Sequence, residues 1–261
     1  EEMVSNINVG IRLNTTDAVS LLLNYTQRDY RRYIGMLSLT AEISSNPGFN
    51  AFGEISKGKW PVIGLQLEGK YRKYNLFADG EKTNSIELYY GAAGLYGYRS
   101  IKKHTTLGMG IKEEYFKGQI FSASSDSTMN SVKNEIGVTG LYAFCSYDNL
   151  DQYYFPTKGI ELYTEISLLE EGTTTVINPL ALLKMRNVIR LNSDYSLLFN
   201  LYGRTIFSDS VPEFKLNYVG GHDYEITMSN HLPFYGIPAV MNTERFTFIG
   251  MAGLRLKIAN K

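Results

Sequence analysis

Between Ile63 and Arg72 the chain reads as an extended strand with two unlike faces: Ile63, Leu65, Leu67 and Tyr71 on one side, Gln66, Glu68, Lys70 and Arg72 on the other. Period-two alternation of this kind places successive side chains on opposite faces of a sheet. The polar face is too charged for an ordinary protein core, where an ionised side chain must be paired to be tolerated. A strand like this needs apolar surroundings on one side and water on the other. The same pattern recurs along the chain, so whatever satisfies this strand must satisfy the whole fold.

Taken in order, Ile7, Val9, Ile11 and Leu13 oppose Asn6, Asn8, Gly10 and Arg12, and after a turn at 14–17, Val19, Leu21, Leu23 and Tyr25 oppose Ser20, Asn24 and Thr26. A third run from Tyr33 to Ile43 stops at Asn46-Pro47-Gly48, a fourth spans Phe49 to Ser56, and the fifth is the charged strand above. Beyond a polar loop through Asp79 and Lys82, the sixth run sets Ile86, Leu88, Tyr90, Ala92, Tyr96 and Tyr98 against Glu87, Tyr89 and Arg99. The tyrosines at its far end are expected to form part of an interfacial aromatic girdle. In the seventh run Leu107, Met109, Ile111 and Tyr115 oppose Gly108, Gly110, Lys112 and Glu114, and Glu113, on the apolar side, is expected near a membrane surface. Ile136, Val138, Tyr142 and Phe144 then oppose Lys133, Glu135 and Thr139, and Ile160, Leu162, Ile166 and Leu168 oppose Glu161, Tyr163, Glu165 and Ser167. Three further runs follow at about 181–191, 195–204 and 254–258, separated by a stretch from Ser208 to Glu244 that lacks alternation. The total is about twelve strands with no helical periodicity, which makes the fold all-β.

Composition narrows the setting. Mean hydropathy is −0.18, aromatics make up 13% with 20 Tyr against a single Trp, and no run approaches the ~18 apolar residues of a spanning helix. A transmembrane barrel has such a composition, because its wall alternates lipid-facing and lumen-facing residues. The predicted architecture is an antiparallel transmembrane β-barrel occupying 1–261 as a single domain. Zero net charge selects no nucleic-acid partner. Cys145 stands alone and permits no intrachain disulfide. The opening Glu1-Glu2-Met3 carries no leader pattern, so the chain is expected to be a processed or excised piece.

Between the eighth and ninth runs lies YDNLDQYYFPTKG, with Asp148, Asn149, Asp151, Phe155, Pro156 and Gly159. This stretch resembles the periplasmic turn between barrel strands eight and nine of the Omp85 superfamily of outer-membrane proteins. The resemblance implies a barrel of about sixteen strands in a bacterial outer membrane, so that some four strands beyond Lys261 and a module ahead of Glu1 would be missing. It also implies that the connections after odd-numbered strands, including Asn75 to Thr83, Lys117 to Ser131 and Ser208 to Glu244, lie outside the cell. Tyr218, Gly220 and Gly221 resemble the aromatic-x-Gly-Gly opening of the family's lumen-inserted loop. The V-R-G-F tip that should follow is absent, no Arg lies between Gly221 and Glu244, and the buried Arg that pins this loop in relatives has no counterpart there. That departure points toward a divergent branch such as the barrels fused to patatin-like lipases.

No catalytic constellation accompanies these motifs. His104, His222 and His231 have no metal-ligand spacing, and no G-x-S-x-G elbow occurs. Asp148 and Asp151 are expected to accept backbone N–H bonds and brace the hairpin. No cofactor is expected. Lys70, Arg72, Arg186, Arg190, Arg204, Glu161 and Glu165 are assigned to the lumen, with Lys112, Lys184, Arg255, Lys257, Glu68, Glu87, Glu114 and Glu135. They make either a wet, salt-bridged wall or a charge ladder that tunes a passage. The function implied by the resemblance is insertion or translocation of client polypeptides, or anchoring of a fused domain, in contact with outer-membrane lipids and lipopolysaccharide. A passive porin or a barrel enzyme is the alternative, and a soluble β-sandwich binding module is a third.

Overall fold

The computed structural model describes residues 3–14, 18–29, 34–78, 81–122, 132–152, 155–172, 176–208, 215–220, 230–232, 234 and 242–256. Eleven strands follow in succession: β1 (Met3–Asn14), β2 (Ala18–Asp29), β3 (Ile34–Ile43), β4 (Gly48–Ser56), β5 (Val62–Ala78), β6 (Glu81–Lys102), β7 (Thr105–Ser122), β8 (Val132–Asp148), β9 (Gly159–Glu171), β10 (Ile177–Arg190) and β11 (Tyr195–Ile206). Each pairs antiparallel with the next, as hairpin connections allow. After three short strands, β12 (Asn217–Val219), β13 (His231–Leu232) and β14 (Asn242–Glu244), β15 (Phe246–Leu256) pairs with β11 and makes the sheet twelve strands wide. The fold is all-β, as the alternation requires, and no α-helix occurs among the described residues.

One face of this sheet is apolar and open. Ile7 and Ile11 on β1, Ile63 and Leu65 on β5, Met109 on β7, Leu141 on β8, Ile166 on β9 and Leu254 on β15 are all exposed there. The other face is concave. Arg12 of β1 and Arg72 of β5 both reach Glu42 of β3, and Tyr96 of β6 donates to Glu54 of β4 at 2.8 Å. On this inner face Leu88, Tyr90, Phe116, Val138, Leu169, Leu180 and Ile206 form one buried cluster, closed by Tyr218, which belongs to no strand of the wall.

Register corrects the sequence reading at two strands. Tyr71 pairs with Tyr89 and Lys70 with Tyr90, so Leu88, Tyr90, Ala92, Tyr96 and Tyr98 face inward, and Tyr89 and Leu95 face outward. The β6 faces are therefore the reverse of those expected, and Tyr96 and Tyr98 belong to no outer girdle: both donate to Glu54, at 2.8 and 3.2 Å. On β8, Val138 pairs with Glu114 and Ile136 with Phe116, which turns that strand's apolar residues inward as well. Glu87 and Glu135, assigned to the lumen, lie on the outer face, paired with Lys73 at 2.7 Å and Lys117 at 3.5 Å. The cause is the buried inner cluster: where the interior is filled, apolar residues serve both faces and alternation no longer says which is which.

The loops are also shorter than expected on one side. β5 continues to Ala78 and β6 starts at Glu81, and β7 runs to Ser122, so much of Asn75 to Thr83 and of Lys117 to Ser131 is strand. β6 has 22 residues, against the ~9–11 that cross a bilayer, so this hairpin region stands well clear of any apolar layer. The outward pairs Lys73–Glu87 and Lys117–Glu135, and the hydrogen bond from Thr139 to Glu113, mark where the apolar band ends. Lys257 and Ile258 lie outside the described residues.

Candidate functional site: an infolded segment and the turn beneath it

The segment after β11 turns back into the concave face. Lys215, 3% exposed, directs its ammonium to Glu114 of β7, itself 5% exposed. Glu114 is shared: Tyr90 donates its hydroxyl at 2.8 Å and Lys112 approaches at 3.0 Å. The Lys215 ammonium also sits 5.2 Å from the centre of the Phe116 ring. Two residues on, Asn217 is completely buried and accepts from Arg204 of β11, while its own amide donates to the Arg204 and Arg245 carbonyls at 3.1 and 3.2 Å. Arg204 donates as well to the Lys215 carbonyl at 3.0 Å. One short stretch is thus gripped from β7 and from β11, four strands apart in the wall.

The same stretch supplies a second, small sheet. β12 pairs parallel with β13, Tyr218 opposite His231, and antiparallel with β14, Asn217 opposite Glu244. This pairing satisfies backbone groups that burial would otherwise leave without partners. Gly220 has φ of 133°, its N–H donates to the Leu232 carbonyl at 3.0 Å, and its carbonyl accepts from His231 Nε2 at 3.0 Å. Tyr218 therefore plugs the inner cluster while Gly220 turns the chain away. Gly221, the third residue of the motif, lies outside the described residues, as do His222 and the tip that replaces V-R-G-F.

From the sequence, Glu114 is expected in the lumen among basic residues of the wall, and no Arg of the loop lies between Gly221 and Glu244; the loop residue that meets Glu114 is Lys215, upstream of that stretch. The available signal was Lys215 and Asn217 alternating with Leu216 directly before Tyr218. A lysine supplies a buried point charge where an arginine's planar fork was expected.

Below this segment, at the end of the wall that carries the short connections, the β8–β9 turn folds under the sheet. Asp148 accepts from Leu150 N–H at 2.9 Å, and Asn149 accepts from Ile160 N–H at 2.6 Å. Asp151 is the hub: it accepts from the backbone N–H groups of Thr157 and Lys158 at 2.7 and 3.2 Å, from the Thr157 hydroxyl at 2.5 Å, and pairs with Arg190 of β10 at 3.2 Å. Pro156 is buried and its carbonyl accepts from Arg255 of β15 at 2.7 Å, while exposed Phe155 lies under the same guanidinium at 5.9 Å. Gly159 has φ of 117°, and a Cβ there would stand 2.5 Å from the Asn149 carbonyl oxygen, so no other residue fits without moving the turn. Tyr153 and Tyr154 lie outside the described residues.

Partial burial alone would raise the Asp151 pKa; the Thr157 hydroxyl, the two backbone donors and Arg190 outweigh it and hold the carboxyl down at about 2. A depressed folded-state value means that the stabilisation is present above the unfolded pKa of about 3.9 and is lost as pH falls through the folded one. Peptic cleavage of residues 149–158, normalised to an unstructured peptide, is accordingly expected to be slow near pH 4 and to rise steeply toward about pH 2. In Asp151→Asn the rate should be high and nearly flat across that window. A flat profile for the unaltered chain would show that Asp151 does not brace the turn.

The remaining lumen charges are paired in sequence along the wall. Lys70 meets Glu68 at 2.7 Å, Arg72 meets Glu42 at 3.2 Å, and Arg186 meets Glu161 at 2.6 Å. Glu165 accepts from Tyr163 and Ser167 at 2.6 and 2.7 Å, and Lys184 lies over the Tyr202 ring at 5.7 Å. Of these groups Glu68, Glu161, Glu165, Lys184 and Arg186, together with Lys215 and Arg204, line a cavity of about 860 Å³. Among the described residues no group of three or more His, Cys, Asp or Glu is placed to hold a metal ion. Asp148 and Asp151 are both occupied by turn hydrogen bonds.

No family model and no curated protein matches the sequence. Among solved structures, the fold is similar to the crystal structure of BamA from Haemophilus ducreyi lacking POTRA domains 1–3, with a TM-score of 0.60 at 14% identity. The likeness covers 85% of this chain and 45% of that one, so the chain spans less than half the length of that protein. At this identity it is the arrangement of strands that is shared.

Proposed function

We propose that the chain forms the wall of an Omp85-type barrel in a bacterial outer membrane and serves the insertion or translocation of client polypeptides, with outer-membrane lipids and lipopolysaccharide as its surroundings. The observation that carries this reading is the infolded segment, gripped by Glu114 and Arg204 across the concave face. A segment held in the lumen by buried charge pairs gives a conformational machine a closed resting state. The open apolar face, turned away from a charged interior, supports the membrane setting. The patatin-linked alternative rested on the missing V-R-G-F tip; Lys215 ties the segment to the wall without that tip, which favours client assembly over the anchoring of a lipase.

The test is reconstitution. Liposomes containing the purified chain are expected to speed the folding of a urea-unfolded outer-membrane barrel several-fold over empty liposomes, read by heat-modifiable gel mobility, and to be almost silent in a planar bilayer. Steady conductance with no gain in client folding would overturn the proposal in favour of a passive porin.

A further inference from the structure

On the outer face, near the short-connection end, the sheet carries a notch of about 660 Å³. Its floor is made of small residues around one methionine: register sets Gly97 and Ala143 on either side of Met109, and Cys145 opposite Thr164. Leu107, Met109 and Ile166 stand up around it. The Thr164 hydroxyl is turned onto the Cys145 carbonyl at 3.5 Å, so the floor offers little to a polar ligand. A smooth apolar wall needs no such hollow, and a flexible hydrocarbon chain fills one.

The rim of the notch is cationic. Arg99 lines it directly, and the adjoining β6–β7 connection brings exposed Lys102 and Lys103, while Lys57 and Lys59 are exposed in the β4–β5 connection. Neither stretch, 56–61 or 99–106, contains an Asp or Glu. Among the described residues Lys59, Arg99, Lys102 and Lys103 make no ion pair. Trp60, 75% exposed, sits between Lys59 and the notch-lining Pro61, where an amphipathic ring marks a membrane–water boundary.

We infer that this notch and its rim form a binding site for an anionic phospholipid, one acyl chain lying on the Gly97–Ala143–Cys145–Thr164 floor and the phosphate held by Arg99, Lys102 and Lys103. The site rests on the membrane-barrel reading above. It belongs to the leaflet at the short-connection end, because the cations and Trp60 are there and the floor runs from them into the apolar band. Each rim cation near an anionic surface adds attraction of about 1 kcal/mol, roughly a fivefold preference.

Trp60 is the chain's one tryptophan and reports directly on its neighbouring lipid. In bilayers mixing brominated and unbrominated lipids, quenching of Trp60 by brominated phosphatidylglycerol is expected to give a relative binding constant at least about fivefold above that of brominated phosphatidylcholine. Arg99→Gln/Lys102→Gln/Lys103→Gln should bring the ratio close to one. Cys145→Phe, which fills the floor, should do the same with the cations in place. Equal quenching by the two lipids in the unaltered chain overturns the site while leaving the barrel intact. A preference that survives Cys145→Phe would reduce it to headgroup attraction and overturn the notch. No quenching by either lipid would overturn the membrane reading along with it.

Discussion

Replacing Glu114 by alanine releases the infolded segment at a cost of about 3–5 kcal/mol, the penalty of leaving a buried charge without its partner. The carboxylate is the common acceptor for Lys215, Lys112 and the Tyr90 hydroxyl, and Arg204 of β11 donates to the carbonyl of Lys215. Without it, two ammonium groups face each other in a poorly solvated space, and Lys215 is best satisfied by leaving. Departure withdraws Asn217 from Arg204 and Tyr218 from the inner cluster, since all three sit within four residues. Limited proteolysis between 208 and 244 should therefore become fast in Glu114→Ala, and bilayers containing it should conduct. Lys215→Met in the same background removes the stranded charge, and the double variant should recover a large part of the loss. If Glu114→Ala stays resistant and silent, the ion pair does not hold the segment.

Leu95→Arg should destabilise the membrane-inserted chain by about 2–4 kcal/mol if it lies near mid-bilayer, while the adjacent Tyr96→Arg should cost well under half of that. Leu95 is exposed on the apolar face; Tyr96 faces inward, toward Glu54. An arginine at 95 must carry its charge into hydrocarbon, whereas one at 96 finds a carboxylate and loses chiefly the ring that lies across Gly64. Urea titration of folding into liposomes gives both values. The contrast bears on the strand whose orientation the sequence alone reversed: were the inner face of β6 the one that meets lipid, Tyr96→Arg would be the costly variant.

How far the chain was legible depended on what each face must satisfy. On β1, β5, β7, β9, β10 and β11 the inner face is polar over most of its length, Phe116, Leu169, Leu180 and Ile206 at the cluster being the exceptions, so alternation shows both the strand and its orientation; Glu161–Arg186 across β9 and β10 is an example. On β6 and β8 part of the inner face packs into the buried cluster that Tyr218 closes, and Leu88, Tyr90 and Val138 are as apolar as anything outside. Hydrophobicity distinguishes water from its absence, and it cannot distinguish lipid from a packed interior. Glu87 and Glu135 were misplaced for the same reason, since their outward Lys partners lie on neighbouring strands that only register brings alongside.

By itself the sequence determined the all-β class, the number of long strands, the order of hairpins and the position of the turn at 148–159. These follow from local alternation and local turn chemistry, which neighbouring residues carry. Tertiary structure alone decided which way β6 and β8 face, that Lys215 meets Glu114 across 101 positions of chain, and that the turn's Asp151, Thr157 and Pro156 are tied to β10, β11 and β15. Those contacts join residues whose spacing in sequence follows no period, and they exist because the sheet curves until its inner face can close on a segment of its own chain.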